Sequence, residues 1–203
     1  MGTFTFLWPV SALAILIVSV LAGRSATGKL TGILIDSRGR FSLTHLQVVA
    51  WTILILSAFV ATLIASNFDV SKAKLSTDLL GLMGIAAGSA VLSTAVKAVK
   101  DAPGSDAKVA REGTSVPAIG GTSVTTINAK FSQIWLEEEG DFADRVVSVT
   151  KFQNFIFTLV ALATFVSLAI AVGALPTTMP EYFLTLLGIS HAGYVGGKIP
   201  DKK

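Results

Sequence analysis

Apolar residues fall into five blocks along the chain, at 4–22, 46–66, 79–96, 152–175 and 182–198, separated by polar or glycine-rich stretches. A helix rising about 1.5 Å per residue needs roughly 20 such residues to cross a bilayer. The pattern predicts an all-α integral membrane protein with five transmembrane helices, the fifth short and glycine-rich.

Two of the blocks read as copies. Shifted by 106, residues 42–65 match 148–171 at nine positions, among them Ser42/Ser148, Thr44/Thr150 and Gln47/Gln153. Shifted by 104, Leu80, Leu82, Gly84, Ile85 and Val91 recur as Leu184, Leu186, Gly188, Ile189 and Val195. Apolar stretches match one another cheaply, so the polar and glycine coincidences carry the weight. The organisation expected is an anchor helix (1–23), a first repeat with two helices (24–100), a linker with an amphipathic segment (101–141), and a second repeat with a short tail (142–203). Two spans per repeat give both copies one orientation, related by an axis along the membrane normal.

The polar stretches carry local signals. Asp36-Ser37-Arg38-Gly39 has the Asp and Gly of a type I turn, and its flanks predict a small β-hairpin. Thr44-His45-Leu46-Gln47 and Thr150-Lys151-Phe152-Gln153 read as capping boxes, with a vestibule-facing glutamine pair as the functional alternative. Gly84-x-x-x-Gly88, extended by Gly81, and Gly188-x-x-x-Ala192 form narrow stripes for close helix contact, within one protomer or between protomers. Residues 97–127 are rich in Gly, Ser and Thr and read as a linker. Beyond them Phe131, Ile134, Trp135 and Glu138 share a helical face, predicting a short amphipathic helix on the membrane surface. The acidic cluster Glu137, Glu138, Glu139 and Asp141 suits a cation or docking of a basic partner, or is simply solvated.

Composition agrees with the blocks: 52% hydrophobic and 14% charged residues in a chain of 203 leave too much apolar surface for one soluble core. The formal net charge of +3 does not point to nucleic acid, because the basic residues collect at span ends. Their placement is informative about topology. Fourteen Lys and Arg fall in 23–45, 97–151 and the C-terminal tail, against Lys72 and Lys74 on the other side, so the N-terminus is expected outside and the C-terminus inside. With no Lys or Arg before residue 24, the first block reads as an uncleaved helix rather than a signal peptide. There is no cysteine, which excludes disulfides, thiol catalysis and thiolate metal sites.

Candidate chemistry is sparse. His191 is the one clearly ionisable side chain inside the blocks, beside the Gly188/Ala192 stripe and one turn from Tyr194. It suits a pathway lining, a pH response or a metal, or is a histidine hydrogen-bonded inside the bundle. Asp78 and Glu181 mark the outer starts of the third and fifth helices, where they suit acidic rings at a mouth or the favourable end of a helix dipole. No nucleophile elbow, phosphate-binding glycine loop or metal-ligand spacing occurs, so neither an enzyme nor a cofactor is expected.

The entry GILIDSRGRFSLTHLQ, the long span after it and the closing LLGISHAGYVGGK resemble a family of uncharacterised bacterial multi-pass membrane proteins, over most of the chain after Gly28. The resemblance implies a bacterial inner-membrane location and no named activity. Two functions are expected from the residues themselves. One is a homo-oligomeric pore or channel subunit, whose candidate lining or packing residues are His191, Tyr194, Asp78, Glu181, Gly84, Gly88, Gly188 and Ala192. The alternative is a non-conducting scaffold or anchor that recruits a cytoplasmic protein through 101–145, with Phe131, Trp135 and Glu137 to Glu139 as the docking residues.

Overall fold

The computed structural model describes residues 2–103, 105, 109–113 and 128–200, and the backbone of 115–117 and 124–126. Five helices organise the described residues: α1 (Thr3–Thr27), α2 (Leu43–Ala65), α3 (Thr77–Lys100), α4 (Val149–Val172) and α5 (Glu181–Gly196). The first four are long and apolar enough to cross a membrane, which makes this a multi-pass membrane protein. Helix α5 has 16 residues, about 24 Å of rise, against a hydrocarbon core of about 30 Å.

The helices begin two residues ahead of the expected caps. Ser42 accepts the His45 N–H and Ser76 accepts the Leu79 N–H, while Ser148 holds the cap position of α4. Thr44 and Thr150 lie inside their helices, so the T-x-x-Q boxes do not form: a serine already satisfies the end of α2, and both glutamines are released for other use. Glycines with positive φ end α1 and α4, at Gly28 and Gly173.

Between α1 and α2 the chain turns tightly. The Gly39 N–H donates to the Asp36 carbonyl at 3.0 Å with Gly39 at φ 74°, and the Asp36 carboxylate accepts from the backbone of Arg38 and Arg40. A single antiparallel bridge, Ile35 with Phe41, flanks the turn, and Gly32–Leu34 is a 3-10 turn. The expected hairpin is thus reduced to its turn. Gly23 and Gly32 press together where α1 meets this loop; a Cβ on Gly23 would collide with the backbone of Ile33.

The expected linker contains a short antiparallel pair, β1 (Ser115–Pro117) with β2 (Val124–Thr126), in register Val116 to Thr125; residues 118–123 lie outside the described residues. The expected amphipathic helix is not formed. Residues Phe131–Ile134 make one 3-10 turn, and the chain then runs extended, with Leu136 bridged to Val147. Ile134, Leu136, Glu138 and Glu139 are all buried. Gln133, fully buried, holds this segment in place by accepting from the Phe41 and Lys130 N–H groups and donating to Asp144.

Helices α2, α3, α5 and α4 pack in a ring in that order, and α1 lies outside it along α2. The N-terminal end of α1 nevertheless reaches in: the Trp8 indole donates to Ser57 at 2.9 Å and its ring meets Phe165 edge-on. In the ring α3 and α5 run side by side, Gly81 against Leu184 and Ile85 against Gly188.

Candidate functional site

Each ring helix buries one stripe of residues about a helical turn apart, and the stripes change character together along the bundle. At the end away from the long polar segment they are dry: Trp51, Ile55 and Ala58 of α2, Leu79, Leu82 and Ala86 of α3, Ala161, Phe165 and Ala169 of α4, Leu187 of α5. Trp51 and Phe165 meet edge-on at 6.1 Å and fill the centre.

Nearer the other end the same stripes turn polar but uncharged. Gln47 donates to Asn154 at 3.1 Å and to Thr158 at 2.7 Å, tying α2 to α4. Opposite them stand Ser89 and Ser93 of α3 and Ser190, His191 and Tyr194 of α5, all buried. By the register of α3 and α5, Ser89 lies at the height of Ala192, one residue along from His191. Among the described residues, six buried atoms here make no hydrogen bond: Gln47 Oε1, Asn154 Nδ2, Ser89 Oγ, Ser190 Oγ, His191 Nδ1 and the Tyr194 hydroxyl. They come from all four ring helices. A buried polar group without a partner costs about 1–3 kcal/mol, so this layer holds hydrogen-bonding capacity that the protein's own side chains leave unused.

A charged lid closes that end. Glu138 is buried and contacts four cations: Lys151 at 2.7 Å, Lys198 at 3.0 Å, Lys97 at 3.2 Å and Arg38 at 3.8 Å. Glu139 takes Lys100 at 2.5 Å and Arg38 at 3.3 Å, Asp36 takes Lys97 at 2.5 Å, and Asp144 takes Arg40 at 2.8 Å. The lid therefore joins the ends of α3 and α5, the start of α4, the turn after α1 and the extended segment before α4. Burial pushes the Glu138 carboxyl upward, but Lys151, Lys198 and Lys97 outweigh it and hold it well below the ordinary carboxylate range. Asp36 is likewise lowered, burial being outweighed by Lys97. Beside the lid, a cavity of about 30 Å³ opens between the start of α4 and the end of α5, lined by Ser148, Thr150, Lys151, Tyr194 and Lys198 together with Glu137 to Glu139. The Lys198 ammonium lies over the Tyr194 ring at 4.7 Å and donates to Ser93.

The residues singled out in the sequence separate into three places. His191 and Tyr194 belong to the polar layer. Glu138 and Glu139, expected on a docking surface, are turned inward and neutralised by the lid; Phe131 is half exposed, and Trp135 packs edge-on against it. Asp78 accepts the Met179 N–H at 3.0 Å, pinning the loop before α5, while Glu181 is exposed in the first turn of α5. The glycine stripes seam the protomer only in part: Gly81 packs against Leu184 and Gly188 touches Ile85, but a Cβ added to Gly84 or Gly88 would meet nothing within 4 Å, and Ala192 faces outward. Gly84 instead lines an apolar groove of about 240 Å³ with Val48, Trp51, Met83 and Ala87. Sequence reasoning missed Gln47, Asn154 and Thr158 as one cluster, and missed the lid's basic partners. Their signal was the helical spacing of polar residues inside otherwise apolar blocks. The chain matches no family model, no curated protein and no solved structure.

Proposed function

We propose that the protein is a pore or channel subunit, closed in this conformation, whose pathway runs inside the ring of α2, α3, α5 and α4. The observation that carries the reading is the uncharged polar layer with hydrogen-bonding groups left unmade on all four ring helices. Such a layer supplies groups of the kind a pathway uses to replace a solute's hydration. The aromatic pair Trp51 and Phe165 serves as the hydrophobic gate on one side, and the ionic lid closes the other. In this reading the lid faces the cytoplasm, α5 crosses as the fifth span, and protomers associate through the open Gly84 and Gly88 face, the small residues admitting a neighbouring helix. The resemblance noted above suggests a bacterial inner membrane.

The test is solute flux in proteoliposomes carrying the native chain or the Trp51→Ala/Phe165→Ala double variant. Removal of the gate is expected to raise flux well above that of empty vesicles. A double variant that inserts and stays monodisperse yet is as tight as empty vesicles would sink the pathway.

A second reading, the scaffold, is favoured by one observation: Phe131 and Phe142 are 49% and 57% exposed on the outer side of the lid segment. There a partner would dock on aromatic rings, not on the acidic run. Partner recovery that survives Phe131→Ser with Phe142→Ser counts against it.

A further inference from the structure

The six unmade hydrogen-bonding atoms of the polar layer share a property: none belongs to a carboxylate, an ammonium or a guanidinium. Gln47 Oε1 accepts, Asn154 Nδ2 donates, and the hydroxyls of Ser89 and Ser190 do both. His191 Nδ1 adds a further site, and apart from this imidazole no acidic or basic side chain stands among the buried stripes at this level. An ion entering the layer loses its hydration without meeting a counter-charge, which low-dielectric surroundings penalise heavily. Around the cavity Lys151 and Lys198 stand beside Glu137, Glu138 and Glu139, so an ion of either sign must compete with the lid's own ion pairs. A small uncharged molecule pays neither cost. Its entry is marked as well, because Tyr194 lines the lid cavity and lies one helical turn from Ser190 and His191.

We propose that the polar layer is a binding site for small uncharged solutes that both donate and accept hydrogen bonds, of the urea and simple amide class, reached from the lid side past Tyr194. The inference rests on the pathway reading, whose substrate class it names, but binding is measurable without flux.

The cysteine-free chain provides the experiment. Single replacements Ser89→Cys and Ser190→Cys differ from the native side chain by one atom, and Leu82→Cys supplies the dry level as a control. Each full-length variant, purified as a monodisperse species, is treated with the small neutral reagent methyl methanethiosulfonate and with trimethylammonium-ethyl and sulfonato-ethyl methanethiosulfonates. The neutral reagent is expected to modify the Ser89 and Ser190 variants at least about tenfold faster than the Leu82 variant and than either charged reagent does. Acetamide, used as the probe solute, should slow that modification several-fold, and potassium chloride at equal osmolarity should not. Modification by charged reagents at the neutral rate overturns the uncharged class, no modification of either variant overturns access, and modification without acetamide protection overturns binding. Protection together with vesicles that stay tight when the gate is removed separates the two proposals: the site stands and the pathway falls.

Discussion

Glu138 is where the energetics of the lid concentrate, because one carboxylate answers four cations, three of them buried. Taking ions out of water is costly, and the cost is offset only while every charge keeps a partner. Lys151 and Lys198 have no other carboxylate among the described residues. Glu138→Gln therefore leaves them uncompensated and is expected to destabilise the protein by about 3–5 kcal/mol, read as thermal unfolding in detergent; a change under 1 kcal/mol would mean that the lid is wetter than its burial indicates. The pH response follows from the same groups. Glu138 and Asp36 are both held below their ordinary values of 4.5 and 3.8. A carboxyl lowered by folding contributes stability that is fully present above the unfolded value and is lost as pH falls through the folded one. The melting temperature should thus stay level from about pH 7 to 5 and drop below about pH 4, and Glu138→Gln should show a shallower drop. A profile that falls already near pH 6 would point to histidine instead.

On the level of helices, the apolar blocks announced α1 to α4 plainly, since length and hydropathy are properties of each block alone. The caps were misplaced because Ser42 and Thr44, two residues apart, are equally good acceptors in sequence, and only the folded turn puts Ser42 at the boundary. Gln47 and Gln153 occupy matching places in the repeats, yet Gln47 is buried against Asn154 and Gln153 is exposed; which face a residue shows depends on neighbouring helices that the local pattern does not contain. The glycines teach the same lesson. Gly84→Ala and Gly88→Ala meet empty space, so within one protomer each is expected to raise stability by the roughly 0.5–1 kcal/mol that Ala gains over Gly in a helix. Gly23→Ala, which forces a Cβ into the Ile33 backbone, is expected to cost about 1–3 kcal/mol. Unfolding of the three variants in detergent decides it. Loss of stability in Gly84→Ala that is accompanied by loss of an oligomer would place that face between protomers.

For the molecule as a whole, the layered interior gives the bundle a direction, dry at one end, polar in the middle and ionic at the lid, and the remaining question is which end faces the cytoplasm. The lid-side Lys and Arg look at first like weak evidence, because Arg38, Arg40, Lys97, Lys100, Lys151 and Lys198 are matched by carboxylates once folded. Topology, however, is set as the spans insert, before Glu138 and its neighbours have been gathered from distant parts of the chain. At that stage each cation counts, and the bias depends on Lys and Arg rather than on net charge. Arg24, Lys29, Arg111 and Lys130 stay exposed even after folding. The lid is therefore expected inside, and the Cys-free background allows a direct check at two exposed loop positions, Ser37 on the lid side and Ser71 on the other. A membrane-impermeant maleimide applied to intact cells should label Ser71→Cys, and should label Ser37→Cys only after permeabilisation. The reverse result would put the lid, and with it the entry to the polar layer, on the outer face, and the solute would then have to be one that the cell meets from outside.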